Sequence, residues 1–165
     1  MANAEQRSGM VHVKAPVNVR MLTFKVENQW LALNVSDCHE VVHPQSRTIM
    51  PMSLPAVNGL INLRGRILTE LDLRKALGFA PREEGAVYRI LITESEKEVF
   101  GVAVDSVGEV IELQADEYER TPDSLDARWK SVSQGVLKQN KRTLVMLDLH
   151  RLIDLTLPRD EGAAA

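Results

Sequence analysis

His39 and His43 stand four residues apart, the spacing at which two imidazoles on one helix face can share a metal ion. Pro44 follows at once, no carboxylate or third histidine sits at ligand spacing, and His12 lies far upstream, so no metal site is expected. Cys38 beside His39 pairs the residue types of a thiol nucleophile and its base. Neighbours on a turn point apart, however, and the sequence supplies no orienting acid; a half-buried apolar contact is the better reading of Cys38. Asp72 and Asp148 invite comparison with a hydrolase carboxylate pair. Each follows an apolar run and precedes a short helical pattern, which makes it a helix N-cap, a role worth about 1 kcal/mol. Gly59 and Gly65 are too far apart, and too remote from any long helix, to form a phosphate-cradling loop.

The elements that would carry these side chains occur twice. The stretch from Leu31 to Val42 matches the stretch from Phe100 to Ile111 without a gap, 69 positions on, and the stretch from Gly59 to Leu73 matches that from Gly135 to Leu149, 76 positions on. The shared features are apolar pattern, glycine and the capping aspartate, so the repeat concerns architecture. Residues 1–18 are small, polar and unpatterned and read as an N-terminal tail; residues 158–165 read as its C-terminal counterpart. Between them, Leu22, Phe24 and Val26 alternate with Met21, Thr23 and Lys25, the period-two pattern of a strand with one buried face. Ser36 or Asp37 is placed to cap a short helical turn. Residues 57–63 and 66–71 flank Arg64-Gly65 as a hairpin whose glycine can supply a positive φ, and Gly78 reads as a helix stop. The second half restarts after a connector at residues 81–85 and carries extra residues around 116–130, with Pro122 and the capping-prone Asp123-Ser124. Short strands at this spacing predict a mainly β protein built of two small barrels.

What the halves do not share points to function. Arg64 stands where the second half has Asn140, and a charge confined to one half cannot be a requirement of the repeated architecture. Glu40 has a twin in Glu109. Glu70 replaces Met146, and a carboxylate there is expected to face water or a partner from the outer side of its strand. Trp129, in the extra stretch, reads as a plug at its base rather than a binding platform.

Composition bounds the remaining possibilities. A chain of 165 residues can build a self-sufficient core without disulfides, and a single cysteine fits a reducing cytoplasm. No apolar run approaches the ~18 residues of a membrane span, and residues 1–10 lack the layout of a signal peptide. A net charge of −3 provides no overall field for nucleic acid or anionic lipid. An oligonucleotide-binding barrel is further disfavoured by the total of seven aromatic residues, because single-strand binders need stacking platforms in a basic groove. An enzyme built on Cys38 or the histidine pair would need a cleft with a perturbed thiol.

The blocks Leu60-Ile61-Asn62-Leu63-Arg64-Gly65-Arg66, Leu71-Asp72-Leu73-Arg74, Val104-Asp105-Ser106-Val107-Gly108-Glu109-Val110 and the run from Leu144 to Leu149 occur in one order with particular gaps. Together they resemble the CheW-like domain of bacterial chemotaxis coupling proteins, over residues 21–155. The resemblance implies two five-stranded SH3-like β-barrels related by a pseudo-two-fold axis, with short helices and a core continuing between the barrels. The CheW-like domain would span residues 19–157, in adjacent or interleaved half-barrels of roughly 19–80 and 86–157. The resemblance further implies no catalysis, no cofactor and no metal. It implies a bridge between the cytoplasmic tip of a methyl-accepting chemoreceptor and the regulatory domain of a CheA-type histidine kinase, in the cytoplasm at membrane-associated receptor arrays. On that basis Glu40 and Arg64 would form a polar surface pair for partners, with Asn62 and Gly65 shaping the arginine-bearing turn. Val107 and Val110 would lie near the groove between barrels where a receptor helix docks. The chain departs from the family pattern at Cys38, where an apolar residue is usual, at Thr69-Glu70, where Pro-Val is usual, and in its N-terminal extension. These departures admit a variant reading, a CheW-like scaffold of a chemosensory system with an output other than motility.

Overall fold

A computed structural model describes residues 19–157; both sequence-predicted tails, and His12, lie outside the described residues. In chain order the strands are β1 (Val19–Val26), β2 (Gln29–Asn34), β3 (Cys38–Val42), β4 (Arg47–Thr48), β5 (Val57–Leu63), β6 (Arg66–Asp72), β7 (Arg89–Ser95), β8 (Glu98–Val104), β9 (Ser106–Leu113), β10 (Tyr118–Glu119), β11 (Ser133–Gln139) and β12 (Arg142–Leu147). Three short helices accompany them: α1 (Leu73–Ala76), α2 (Ala127–Lys130) and α3 (Leu149–Thr156).

The strands form two sheets, in the orders β10-β11-β12-β2-β1-β9 and β3-β7-β8-β6-β5-β4. Setting aside the two-residue edge strands β4 and β10, each sheet has five strands, as two SH3-like barrels require. Neither sheet is built from one half of the chain. The hairpin β1–β2 joins the sheet of the second half by parallel pairing of β2 with β12, and the hairpin β7–β8 joins the sheet of the first half by parallel pairing of β8 with β6. The antiparallel pairs β1·β9 and β3·β7 complete the exchange at equivalent places. The sequence repeat therefore appears in space as a pseudo-two-fold, with β5, β6 and α1 matched to β11, β12 and α3.

This exchange explains why β1 differs from its sequence reading. Met21, Leu22, Thr23 and Phe24 are all buried, so both faces of the strand are covered, not one. Met21 packs into the interior of its own barrel with Ala32, Leu137, Leu144 and Met146. Leu22, Phe24 and Val26 pack on the other face, into a shared core with Leu71, Leu91, Val102, Val145 and Leu152 drawn from both halves. The other barrel has its own interior of Ile61, Leu68, Ile90 and Ile92. Sheet strands sandwiched between a barrel interior and a common core lose the alternation that a one-sided strand displays. Trp129 is 5% exposed within the shared core, its ring 5.2 Å from that of Phe79, consistent with a plug.

Backbone chemistry repeats along with topology. Gly59 and Gly135, 76 positions apart, have φ of 145° and 147°, and both interrupt the register of their hairpin. A Cβ at Gly59 would lie 2.5 Å from the Thr48 carbonyl oxygen, and one at Gly135 would lie 2.8 Å from that of Glu119, so both glycines permit the close approach of a short edge strand. Asp72 accepts the N–H of Arg74 at 2.9 Å and Asp148 accepts that of Arg151 at 3.1 Å, the helix caps anticipated. Two caps differ from expectation. Asn34, not Ser36 or Asp37, caps the 3-10 turn Val35–Asp37, and Asp126, not Asp123 or Ser124, caps α2. In both, the residue immediately before the first helical position is the one whose side chain can turn back onto the new N–H groups.

A polar cluster ties the barrels at one pole of the pseudo-two-fold; at the other, Ser95 Oγ of β7 lies 2.9 Å from Nδ1 of His150, the repeat equivalent of Arg74. Asp105, between β8 and β9, accepts Nε and Nη2 of Arg74 at 2.9 and 2.8 Å, Nε of Arg82 at 2.9 Å and the N–H of Glu27 at 2.8 Å. Arg82 also reaches Asp72 at 2.6 Å, and Arg74 reaches Glu27 at 2.6 Å. Burial alone raises the Asp105 carboxyl, but the hydrogen bonds from Arg74 and Glu27 and the charges of Arg82 and Arg74 outweigh it and hold the group below its ordinary value.

Two stability predictions follow from these features. Gly135→Ala should lower the urea midpoint by an amount corresponding to about 2 kcal/mol or more, since the strained φ and the Glu119 contact act together. Asp105→Asn should cost a similar ~2–3 kcal/mol at neutral pH. Because the folded-state pKa of Asp105 is depressed, its contribution is present above the unfolded value and is lost as pH falls through the folded one; the gap between wild type and Asp105→Asn in acid-range melts should therefore close below about pH 4.

Candidate functional site

The turn Arg64-Gly65 joins β5 to β6 with φ of 51° and 82°, positive at both central residues as a two-residue hairpin of the right twist demands. The equivalent turn in the second half, Asn140-Lys141, has 49° and 63°, so this unusual backbone belongs to the architecture. Only the side chain it presents is specific to one half. Asn62 fixes the turn by accepting the Gly65 N–H at 2.9 Å. Arg64 then projects from a rigid tip with 68% of its side chain exposed and pairs with Glu40 of β3, itself 34% exposed. Next to it, Nε2 of His39 lies 2.8 Å from a carboxylate oxygen of Glu94.

The pair borders a shallow depression of about 270 Å³, lined also by Leu63, Arg66, Leu68 and Val99. This concavity combines two exposed arginines, the Glu40 carboxylate and the His39 imidazole over an apolar floor, and no cysteine, serine or threonine lines it. It is suited to docking rather than turnover.

The structure thus brings Glu40, Asn62, Arg64 and Gly65 together. Val107 and Val110 belong to a different surface, on β9 of the other sheet. Val110 is 44% exposed, while Val107 is half-buried and packs against the shared core. Their repeat equivalents behave in the same way: Val41 is 38% exposed, and Cys38 packs against the same core.

The pseudo-equivalent of the arginine site carries other chemistry. Where the first site has Val99, the second has Trp30, flanked by the Arg142 guanidinium 4.5 Å and the Lys25 ammonium 5.8 Å from its ring centroid. Gly108, equivalent to His39, leaves room for it, since a Cβ there would lie 3.0 Å from the indole. This aromatic–cation cluster was not singled out by sequence reasoning. Its signal was available in the alignment of Trp30 with Val99 and of Gly108 with His39.

Glu70 requires a correction. It does not face water or a partner; it is 0% exposed. Leu68, Glu70 and Asp72 share one face of β6, and Leu68 lines the barrel interior, as Leu144 and Met146 do at the equivalent positions. The alignment with Met146 carried the correct signal, and the carboxylate's charge concealed it. Asn58 of β5 donates to Glu70 Oε2 at 2.6 Å, and Arg47 of β4 approaches the same oxygen at 3.3 Å.

Among the described residues no group of three or more potential metal ligands converges around His39 and His43; His39 pairs with Glu94 instead. Burial pushes the Cys38 thiol up to about 11, against the opposing backbone hydrogen bond at Glu40. Labelling of Cys38 by a disulfide reagent at pH 7 should therefore be much slower than that of an unfolded control, and should accelerate as pH rises toward that value; rapid labelling at neutrality would contradict this environment.

Comparison with known proteins places these features. Residues 20–156 match the CheW-like domain family. The chain is 26% identical over 136 residues to the probable chemotaxis protein CheW of Rhizobium etli, covering 82% of this chain and 88% of that protein. It is 28% identical over 134 residues to the chemotaxis protein CheW of Thermotoga maritima, covering 81% and 87%. The crystal structure of the scaffolding protein TtCheW from Thermoanaerobacter tengcongensis superposes with a TM-score of 0.74 at 29% identity, over 84% of this chain and 94% of that one. The family match across nearly all the described residues and the barrel pair agree: the chain belongs to the CheW-like domain family, the non-enzymatic adaptors of chemotaxis.

Proposed function

We propose that this protein couples the cytoplasmic tip of a methyl-accepting chemoreceptor to the regulatory domain of a CheA-type histidine kinase, and so transmits receptor state to kinase activity at membrane-associated arrays. The observation that carries this reading is the arginine tip: an exposed, half-specific charge held on a backbone that the opposite barrel duplicates without it. Asn62 and Gly65 shape that tip and Glu40 orients Arg64, which makes these four a partner surface. Val110, exposed on β9 in the other sheet, with Val107 beneath it, offers a separate apolar surface for a receptor helix. Two partners held on one rigid body are fixed relative to each other, so a movement of the first biases the conformational equilibrium of the second. Contacts of this size are individually weak, and repetition in an array supplies avidity. No helix among the described residues is long and apolar enough to cross a membrane, and the proposed recruitment to arrays runs through the receptor.

A system with an output other than motility rested on Glu70 changing the charge of an exposed strand. Glu70 is sealed within a barrel and presents no charge to a partner, so that observation no longer favours it.

Arg64→Glu tests the reading. The exposed pair with Glu40 is worth only about 0–1 kcal/mol, so the thermal melt should move by no more than a few degrees. In an array reconstituted from receptor, kinase and this protein, the variant should lose kinase coupling or receptor-dependent co-sedimentation. Normal coupling by a folded Arg64→Glu protein would overturn the role of the tip.

A further inference from the structure

The interior of the barrel containing β5 and β6 holds a polar pair for which the sister barrel has no equivalent. Asn58 is 7% exposed and Glu70 is 0% exposed. Asn58 Nδ2 donates to Glu70 Oε2 at 2.6 Å and also lies 3.3 Å from Asp72 Oδ2. The other ends of both side chains, Asn58 Oδ1 and Glu70 Oε1, are buried without a hydrogen-bond partner. At the sister position Met146 fills the space as an ordinary apolar core residue.

Two orphaned acceptors on side chains already joined by one hydrogen bond form an unusual deficit, because each buried unpaired oxygen has lost its bond to water with nothing in exchange. A single proton removes both. A neutral carboxylic acid has an O–H donor on one oxygen and an acceptor on the other, which is the complement of a primary amide. Bound to Oε1, the proton lets Glu70 donate to Asn58 Oδ1 while Oε2 continues to accept from Asn58 Nδ2. No atom outside the pair is needed.

We infer that Glu70 is a protonated carboxylic acid in the folded protein, held in a two-bond pair with the Asn58 amide, and that the barrel thereby contains a proton-dependent clasp. The groups facing it are Arg47 from β4, Asp72 from its own strand and Arg82 from the connector after α1. Burial is the dominant influence and raises the Glu70 carboxyl, with Asp72 acting in the same direction; the Asn58 hydrogen bond, Arg47 and Arg82 oppose it and do not prevail. The clasp joins β5 to β6 close to Arg47, whose side chain also bonds the Tyr88 hydroxyl and tethers the short edge strand β4. Proton loss would orphan Asn58 Oδ1 and leave a charge inside the barrel. A raised folded-state pKa means that the stabilisation is complete below the unfolded value of about 4.3 and is lost as pH rises through the folded one, the opposite sense to Asp105.

The test uses the full chain labelled with ¹³C at glutamate. Across about pH 4 to 9, one glutamate Cδ resonance should titrate above the others, and it should be missing from Glu70→Gln. Gln reproduces both hydrogen bonds without a titrating proton, so Glu70→Gln should match wild type in Tm near pH 4 and melt progressively higher than wild type as pH rises. If Glu70→Gln does not fold, Asn58→Leu provides the second arm: loss of the amide partner should change the midpoint of the outlying wild-type resonance. Wild-type glutamates that all titrate in the ordinary range, or a Tm difference between Glu70→Gln and wild type that does not change with pH, would overturn the inference.

Discussion

The fold depends on a reciprocal exchange of hairpins. Each barrel is closed by two strands from the opposite half, through the parallel pairs β2·β12 and β6·β8, so neither half can satisfy its own backbone hydrogen bonds or cover its own apolar faces. Two equal barrels joined by a linker could separate or swing. Barrels that have traded hairpins cannot do so without breaking sheet. The shared core, with Phe24, Leu31 and Val145 against Leu71, Leu91 and Val102, makes the same demand in apolar terms. On the proposed function this rigidity is the property that matters, because a compliant joint would absorb a movement passed from one partner to the other.

On this symmetrical frame the chain places unsymmetrical chemistry. The two positive-φ turns, the two strained glycines and the two capping aspartates are duplicated. The arginine tip, the Trp30 cluster with Arg142 and Lys25, and the Asp105 network are not. Duplicated features cost or contribute stability equally in both barrels and carry no directional information. The unduplicated ones distinguish one end of the molecule from the other. The Asp105 cluster shows the division clearly: it draws Glu27 from the end of β1, Arg74 from α1 and Arg82 from the connector onto one carboxylate, whereas the opposite pole has the Ser95–His150 contact.

The interior has its own asymmetry. One barrel packs Met146 where the other buries Glu70 with Asn58, and a buried polar pair has to be fully satisfied to be tolerated. A lone buried carboxylate is among the costliest groups a small barrel can hold, so its buried partner Asn58 is as much a part of the interior as the apolar residues around it.

Much of this was legible in the residues alone. The repeat at offsets of 69 and 76, the glycines, the capping aspartates and the uniqueness of Arg64 are properties of residue order, and local physics acts on them directly: a glycine is needed wherever a backbone must pass close, and a cap wherever a helix begins. Other properties were decided by tertiary structure. Which hairpin completes which barrel depends on pairings between residues distant in sequence, such as Met146 with Ala32, 114 positions apart, and Phe100 with Thr69, 31 apart, that no local pattern encodes. The double burial of β1 and the interior placement of Glu70 follow from that long-range pairing. Charge and periodicity report what a residue prefers on an isolated strand, whereas exposure is determined by what the rest of the chain lays against it.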